Sequence, residues 1–361
     1  MIDKDRGLIN ALLNSINPYA WVTGARNKAF DWNIIESRSF STPTICIGNI
    51  TVGGTGKTPH TEFLVKRLVE KHRVAVLSRG YGRKSKGYIK ATADTPMPLI
   101  GDEPAQIKNK FKAATVAVCE KRVEGIKKLL CEENQPQVIL LDDAYQHRYV
   151  KAGLNILLID SNRPLWQDSV LPFGRMRESI SGIKRADIVI ITKCNNLSGE
   201  QKAWCRNYIK RRKDIPVFFS TMRYGKLYPL FAQGSSQIDI DKECNVLLVT
   251  GIAKPLHIKK EIESYGARVE IMRYGDHHNF TGEELKEIAK RFAGMKGGKK
   301  LIITTEKDAT RLLDNPSVPE SIKESIYALP IEVEILDKEE ELFNQIIDEY
   351  VTENSRNSSI P

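Results

Sequence analysis

From residue 44 to about 220, short and largely apolar runs alternate with longer stretches in which apolar residues recur at helical spacing. The runs fall at 44–47, 74–77, 115–118, 138–141, 154–159, 187–191 and 216–219. Continuous apolar runs of this length suit strands buried on both faces, and the helical stretches between them make strand–helix–strand units. Such units predict a parallel sheet covered on both sides. After residue 245 the alternation resumes, with strands expected at 246–249, 268–272, 300–303 and 331–335. Between the two regions the pattern lapses into Tyr, Gly and Pro with short alternating pieces at 226–231 and 237–240. The fold class expected is α/β, with a parallel-sheet domain at 41–222, a hairpin-like linker at 223–245 and a smaller α/β domain at 246–361.

Residues 1–40 follow a different pattern. Leu8, Ile9, Leu12, Leu13 and Ile16 recur at helical spacing, Pro18 interrupts, and Tyr19-Ala20-Trp21-Val22 begins a second apolar stretch reaching Phe30 and Trp32. Lys4, Arg6, Arg26, Lys28 and Arg38 flank these faces. Aromatic residues beside cations suit a membrane interface, and an ordinary helix packed on the domain has the same pattern.

Ligands on parallel sheets bind beyond the carboxyl ends of the strands, which selects the loops to read for chemistry. The first strand runs into Thr51-Val52-Gly53-Gly54-Thr55-Gly56-Lys57-Thr58, a glycine turn ending in Gly-Lys-Thr ahead of a helical pattern. This is a phosphate-binding loop: backbone N–H groups turn inward around phosphate oxygens, Lys57 reaches the outer phosphates, and the Thr58 hydroxyl is placed for Mg²⁺. The first glycine of the usual pattern is replaced by Thr51, so the loop is a variant. The strand at 138–141 ends in Asp142-Asp143, carboxylates delivered to a metal ion or its water shell. Gln146 and His147 extend that strand end toward the substrate side, where His147 equally suits a structural role. Arg79 in the basic glycine-rich loop 78–84, and Arg122, are candidate anion contacts. Asp102-Glu103 precede a helix, where acids are also ordinary caps. Asp276-His277-His278 lacks a third ligand at zinc spacing and reads better as a proton-transfer group. The strand ending Thr192-Lys193-Cys194-Asn195 is similar to the guanine-reading motif of GTPases, but Asn195 stands where that motif needs a carboxylate.

Composition narrows the classes. The 361 residues are 41% hydrophobic and 28% charged, which fits a folded chain of about two domains, with only the polar tail 352–361 suited to disorder. A net charge of +10 favours anionic partners. The basic residues are dispersed and no nucleic-acid-binding motif is present, so a nucleic-acid module is disfavoured. Six cysteines without C-x-x-C spacing argue for a reducing compartment, and no apolar run is long enough to span a membrane.

Taken together, TVGGTGKTP at 51–59, SRGYG at 78–82, GDEP at 101–104, DDAYQH at 142–147, LPFGRMRES at 171–179, DHHNF at 276–280 and TTEKDATR at 304–311 resemble the tetraacyldisaccharide 4′-kinase family. The motifs span nearly the whole chain in order, and the missing first glycine is shared. Ala144 and Tyr145 stand where the family usually has Gly and Phe, and the 171–179 stretch is looser than the family's proline-rich form. The resemblance implies transfer of the ATP γ-phosphate to the 4′-hydroxyl of tetraacyldisaccharide 1-phosphate, with ATP and Mg²⁺ as cofactors. It further implies that Asp102 is the base and His277 its partner, that Arg79 and Arg122 meet substrate phosphate, and that residues 1–40 dock a peripheral protein on the cytoplasmic face of the inner membrane. The competing expectation is a soluble P-loop GTPase or ATPase accessory protein, against which Asn195 and the Asp-Glu and Asp-His-His loops argue.

Overall fold

The computed structural model describes residues 16–357, except Gln233, Ser236, Gln237, Ala253, Lys254 and His277. The first group of apolar runs folds as β1 (Thr44–Gly48), β2 (Val74–Ser78), β3 (Ile89–Lys90), β4 (Thr115–Val118), β5 (Val138–Asp142), β6 (Leu154–Asp160), β7 (Ile188–Thr192) and β8 (Val217–Tyr224). After them come β9 (Tyr228–Pro229), β10 (Cys244–Thr250), β11 (Arg268–Arg273), β12 (Lys299–Thr305), β13 (Ile326–Leu329) and β14 (Ile331–Ile335).

These strands make two sheets. The larger has the order β14-β8-β7-β6-β1-β5-β2-β4-β3, parallel from β8 to β4 with an antiparallel strand at each edge. Every residue of β1, β2, β5 and β7 is buried, which is why these strands read as apolar throughout. On one face the helix Lys57–Leu68 packs beside the C-terminal helix Glu340–Asn357, whose Phe343, Ile347 and Val351 lie one turn apart and are fully buried with Leu64, Leu68 and Phe218. Each such side chain contributes roughly 1.5–3 kcal/mol by burial, enough to carry the helix through a polar stretch as far as Asn357. On the other face Ile126 and Leu129 of the helix Arg122–Leu130, with Cys205 and Ile209 of Gly199–Lys210, join the second core cluster.

The order matters for the site. β5 lies between β1 and β2, and the chain then crosses to β6 on the far side of β1. The crevice beyond the carboxyl ends of β1, β5 and β6 is therefore the expected ligand position. Register puts Ile47 opposite Asp142, so the phosphate loop and the paired acids emerge side by side.

The smaller sheet has the order β11-β10-β12-β13-β9, parallel but for β9. Two boundaries differ from expectation. The two passages between the sheets lie side by side, β8 and β14 pairing antiparallel from Ser220↔Ile335 to Tyr224↔Ile331. The short piece at 228–229 instead pairs with β13, and Leu227 and Leu230 are buried in the second sheet's clusters. Likewise 331–357 was expected in the second domain but returns to the first sheet, because the Phe343 face finds its apolar partners there. The chain thus crosses between sheets twice, on adjacent strands.

At the N-terminal end, Asn17 caps the helix Pro18–Asp31, accepting from the Tyr19 and Ala20 N–H groups at 3.0 and 3.3 Å, and its amide donates to Leu171 O at 2.8 Å. Phe30 is buried, edge-on to Tyr149. The apolar positions Leu8, Ile9, Leu12 and Leu13 lie outside the described residues.

Candidate active site

β1 ends at Gly48, where any Cβ would meet the Tyr145 Cβ at 2.7 Å, so the phosphate-loop strand and the segment after β5 pass closer than a side chain permits. The loop then turns through Gly53 (φ 104°) and Gly56 (φ 90°), left-handed conformations that disfavour other residues. Buried Asn49 donates to the Thr55 hydroxyl at 2.8 Å, and Thr192 and Lys193 at the end of β7 donate to the carbonyls of Thr55 and Gly54 at 2.9 and 2.5 Å. Lys193 is also paired with Asp160 at 2.6 Å. A segment with no assigned role closes the other side: Val52 N donates to Arg175 O and Arg177 N to Ile50 O, both at 2.7 Å, with Thr51 bridged to Met176. The LPFGRMRES stretch is therefore a brace on the phosphate loop. The helix starting at Lys57 directs its free N–H groups and positive dipole end into this cradle.

The acids stand beside it. Asp142 is 1% exposed and accepts a 2.9 Å hydrogen bond from the Thr61 hydroxyl. Burial, then the nearby charges of Glu103 and Asp143, push its carboxyl up to about 7, against the lowering effects of Thr61 and Lys57. Asp143, held at φ 46°, lies 3.7 Å from the Lys57 ammonium and 3.2 Å from the Arg177 guanidinium. Lys57, Asp142, Asp143 and Arg177 thus converge at the helix N-terminus, and Glu103 joins them through its field. Arg177 lay within a motif already noted, yet nothing local marked it as reaching the acids.

The remaining candidates divide. Gln146 is a brace: its amide donates to Asn49 O at 2.6 Å and Glu178 at 3.1 Å, and its carbonyl accepts from Arg177 at 3.3 Å. His147 is pushed down to about 4 by burial and then by Arg122, Arg26 and Arg79, which keeps it neutral at pH 7; its Nε2 accepts from Arg122 N at 3.4 Å. Arg122 is 2% exposed, donates to Cys119 O at 3.0 Å, and its charge is felt by Asp142 and Asp143. Arg79 is exposed on the loop that follows β2.

Asp102 opens the helix Asp102–Lys110, and its carboxylate is ion-paired with Arg311 of the helix Glu306–Leu313, which follows β12. The same two helices are joined at Lys110, which bridges Glu62 at 2.6 Å and Glu306 at 2.7 Å. His277 lies outside the described residues. Its neighbours are placed: Asp276 pairs with Lys307 at 3.4 Å, and His278 Nε2 is 2.9 Å from Glu284.

The N-terminal helix reaches the site edge, where Asn27 donates to Glu178 at 2.8 Å and Arg26 to Gln146 O at 3.3 Å. Its outer side presents Tyr19, Trp21 and Val22 to solvent, and Phe173 of the brace segment is also exposed. Among the described residues no helix is long and apolar enough to cross a membrane.

Residues 11–352 match the family model described as tetraacyldisaccharide-1-P 4′-kinase. The chain is similar to a tetraacyldisaccharide 4′-kinase of Bacteroides thetaiotaomicron, 48% identical over 360 residues that cover 95% of this chain and 94% of the relative. It is similar to the same enzyme of Porphyromonas gingivalis W83, 42% identical over 325 residues covering 88% and 90%. Among solved structures it is similar to LpxK from Aquifex aeolicus in complex with ATP, with a TM-score of 0.73 and 26% identity, covering 95% of this chain and 99% of that one.

Proposed function

The chain belongs to the tetraacyldisaccharide-1-P 4′-kinase family, and from that premise we propose which of its residues hold ATP, the metal ion and the acceptor. It is a kinase of lipid A biosynthesis that transfers the ATP γ-phosphoryl group to the 4′-hydroxyl of tetraacyldisaccharide 1-phosphate. The observation that carries the assignment of roles is the convergence of Lys57, Arg177, Asp142 and Asp143 at the N-terminus of the helix Lys57–Leu68.

The backbone of 53–56 and the Lys57 ammonium take the β- and γ-phosphates, where fixed dipoles and charge act without reorganisation. The donors at hand fit Mg²⁺: the Thr58 hydroxyl and the Asp142 and Asp143 carboxylates are hard oxygen ligands, and the burial and then the carboxylate crowding that raise Asp142 are what a dication offsets. When bound, Mg²⁺ neutralises charge on the phosphate oxygens. Arg177, beside Asp143, adds a second cation on the side where the loop is braced.

The acceptor hydroxyl needs a base, and Asp102 takes that role with His277 as its partner. The 4′-oxygen forms a bond to phosphorus, the bond from phosphorus to the β-phosphate oxygen breaks, and the hydroxyl proton passes to the Asp102 carboxylate. His278 is committed to Glu284, which favours His277 over its neighbour as the functional imidazole. Arg79 and Arg122 supply positive potential for the acceptor's 1-phosphate, while Gln146 and His147 shape the acceptor side. Exposed Tyr19, Trp21 and Val22 lie on the helix that Asn17 and Tyr19 tie to Leu171 and Arg177, and with exposed Phe173 they suit insertion among acyl chains, so the protein works as a peripheral enzyme on the cytoplasmic face of the inner membrane.

Incubation with γ-labelled ATP and tetraacyldisaccharide 1-phosphate tests this reading. Label is expected in the lipid; label found only as free phosphate would overturn it.

A further inference from the structure

Arg311 belongs to the helix that follows β12 of the smaller sheet, and its guanidinium is almost wholly buried, with 2% of the side chain exposed. One arm of the fork contacts the Asp102 carboxylate, 209 residues away in the chain, and Nη1 donates to Asp308 Oδ1 at 3.0 Å. Asp308 is fully buried and is itself fixed: its Oδ2 accepts from the Thr305 hydroxyl at 2.8 Å, Gly251 N at 3.0 Å and the Thr250 hydroxyl at 3.1 Å. Thr250 and Thr305 are the last residues of β10 and β12, which pair side by side. The orientation of the smaller sheet is therefore transmitted through Asp308 to a planar guanidinium, and through that to Asp102.

We infer that Arg311 is a positioning residue for phosphoryl transfer, carrying the placement of the smaller sheet to the Asp102 carboxylate. This rests on the reading of Asp102 as the base. A carboxylate that turns about its side-chain bonds presents its lone pairs to the acceptor hydroxyl only part of the time. Anchoring one oxygen to a rigid fork, itself anchored to a buried acid, fixes the plane of the other. Lys110, bridging Glu62 and Glu306 near the other end of the same helix, already joins the two sheets with a flexible ammonium. The guanidinium at Arg311 adds direction where the base sits.

Arg311→Lys is the primary variant, since it keeps the charge and loses the fork; Arg311→Ala leaves Asp308 buried without its partner and endangers the fold. Lipid phosphorylation is expected to fall roughly 10- to 100-fold in kcat with KM for ATP nearly unchanged, and the melting temperature should stay close to wild type. Pairing Arg311→Ala with Asp308→Asn removes both charges together, and millimolar guanidinium is expected to restore part of its kcat. The double variant Asp102→Asn with Arg311→Lys should be no slower than Asp102→Asn alone, because a residue acting through Asp102 has nothing left to position. Wild-type kcat in Arg311→Lys, or losses that multiply in the double variant, would overturn the inference while leaving the base assignment standing. Retained transfer in Asp102→Asn would instead remove the base reading, and this inference with it.

Discussion

Replacing Asp142 by asparagine should stabilise the metal-free protein and abolish transfer together, and the size of the gain can be worked from the site. The carboxyl is 1% exposed, and burial, then the crowding by Glu103 and Asp143, raise it from 3.8 to about 7. An acid whose folded value is raised binds its proton more tightly in the native state, so the penalty is absent below pH 3.8, grows as pH rises and is complete above about 7. At about 1.4 kcal/mol per pH unit the full penalty is on the order of 4 kcal/mol. Asparagine keeps an acceptor for the Thr61 hydroxyl and carries no charge, so after local relaxation a gain of roughly 2 kcal/mol or more is expected at pH 8. Near pH 5 less than half of the penalty has developed, and the gain should shrink in proportion. Urea unfolding with EDTA at pH 5 and pH 8, comparing midpoints at constant slope, measures this. Glu62, raised to about 7 by burial and by Glu306 against Lys110 and Gln106, contributes a slope of the same sign in both proteins and cancels in the comparison. An Asp142→Asn variant no more stable than wild type at pH 8, or with an advantage as large at pH 5, would refute the argument from burial and crowding.

Further outcomes follow from the same geometry. Gly56→Ala places a Cβ 2.1 Å from the Met222 Cε at φ 90°, so it should cost at least about 1–2 kcal/mol from the backbone alone and weaken ATP binding in calorimetric titration. Lys57→Ala should lower lipid phosphorylation about 10²- to 10³-fold in a labelled-ATP assay, with folding intact by circular dichroism. His60, tied to Gly56 O at 2.7 Å and Ser220 at 2.9 Å, is pushed down to about 4 by burial against the Gly56 hydrogen bond. Stability should therefore fall as pH drops from 6.5 to 4, and His60→Gln should flatten that loss in urea titrations. Replacing exposed Trp21 and Phe173 by serine should reduce sedimentation with anionic phospholipid vesicles by roughly tenfold or more; unchanged partitioning would remove these residues from the docking surface.

Much of the architecture was readable because it is local. Runs such as 138–141 are apolar on both faces, and no other element buries them so completely, so β1, β2, β4 to β8, β10 to β12 and β14 stand where the pattern placed them. The phosphate loop was equally legible, since left-handed turns at Gly53 and Gly56 and a helix opening at Lys57 are requirements met by adjacent residues. The pattern shows no strand at β3 or β13, whose two and four residues carry no period and whose hydrogen bonds come from distant neighbours, whereas β9 lies in the alternating piece 226–231 and takes its partner from β13. Pairing decided what pattern could not. The strand at 331–335 looked the same whether it joined the smaller sheet or the larger, and the Tyr224↔Ile331 register together with the buried Phe343 face settled it.

The site divides in the same way. The residues proposed to hold phosphate and metal follow one another along two strand ends, so the sequence alone was enough to propose them as a set. The packing of Arg177 against Asp143 and the reach of Arg311 to Asp102 join segments far apart in the chain. Charge pairs of that kind leave no spacing to read, because their distance is set by how two sheets meet, and only the tertiary structure decided it.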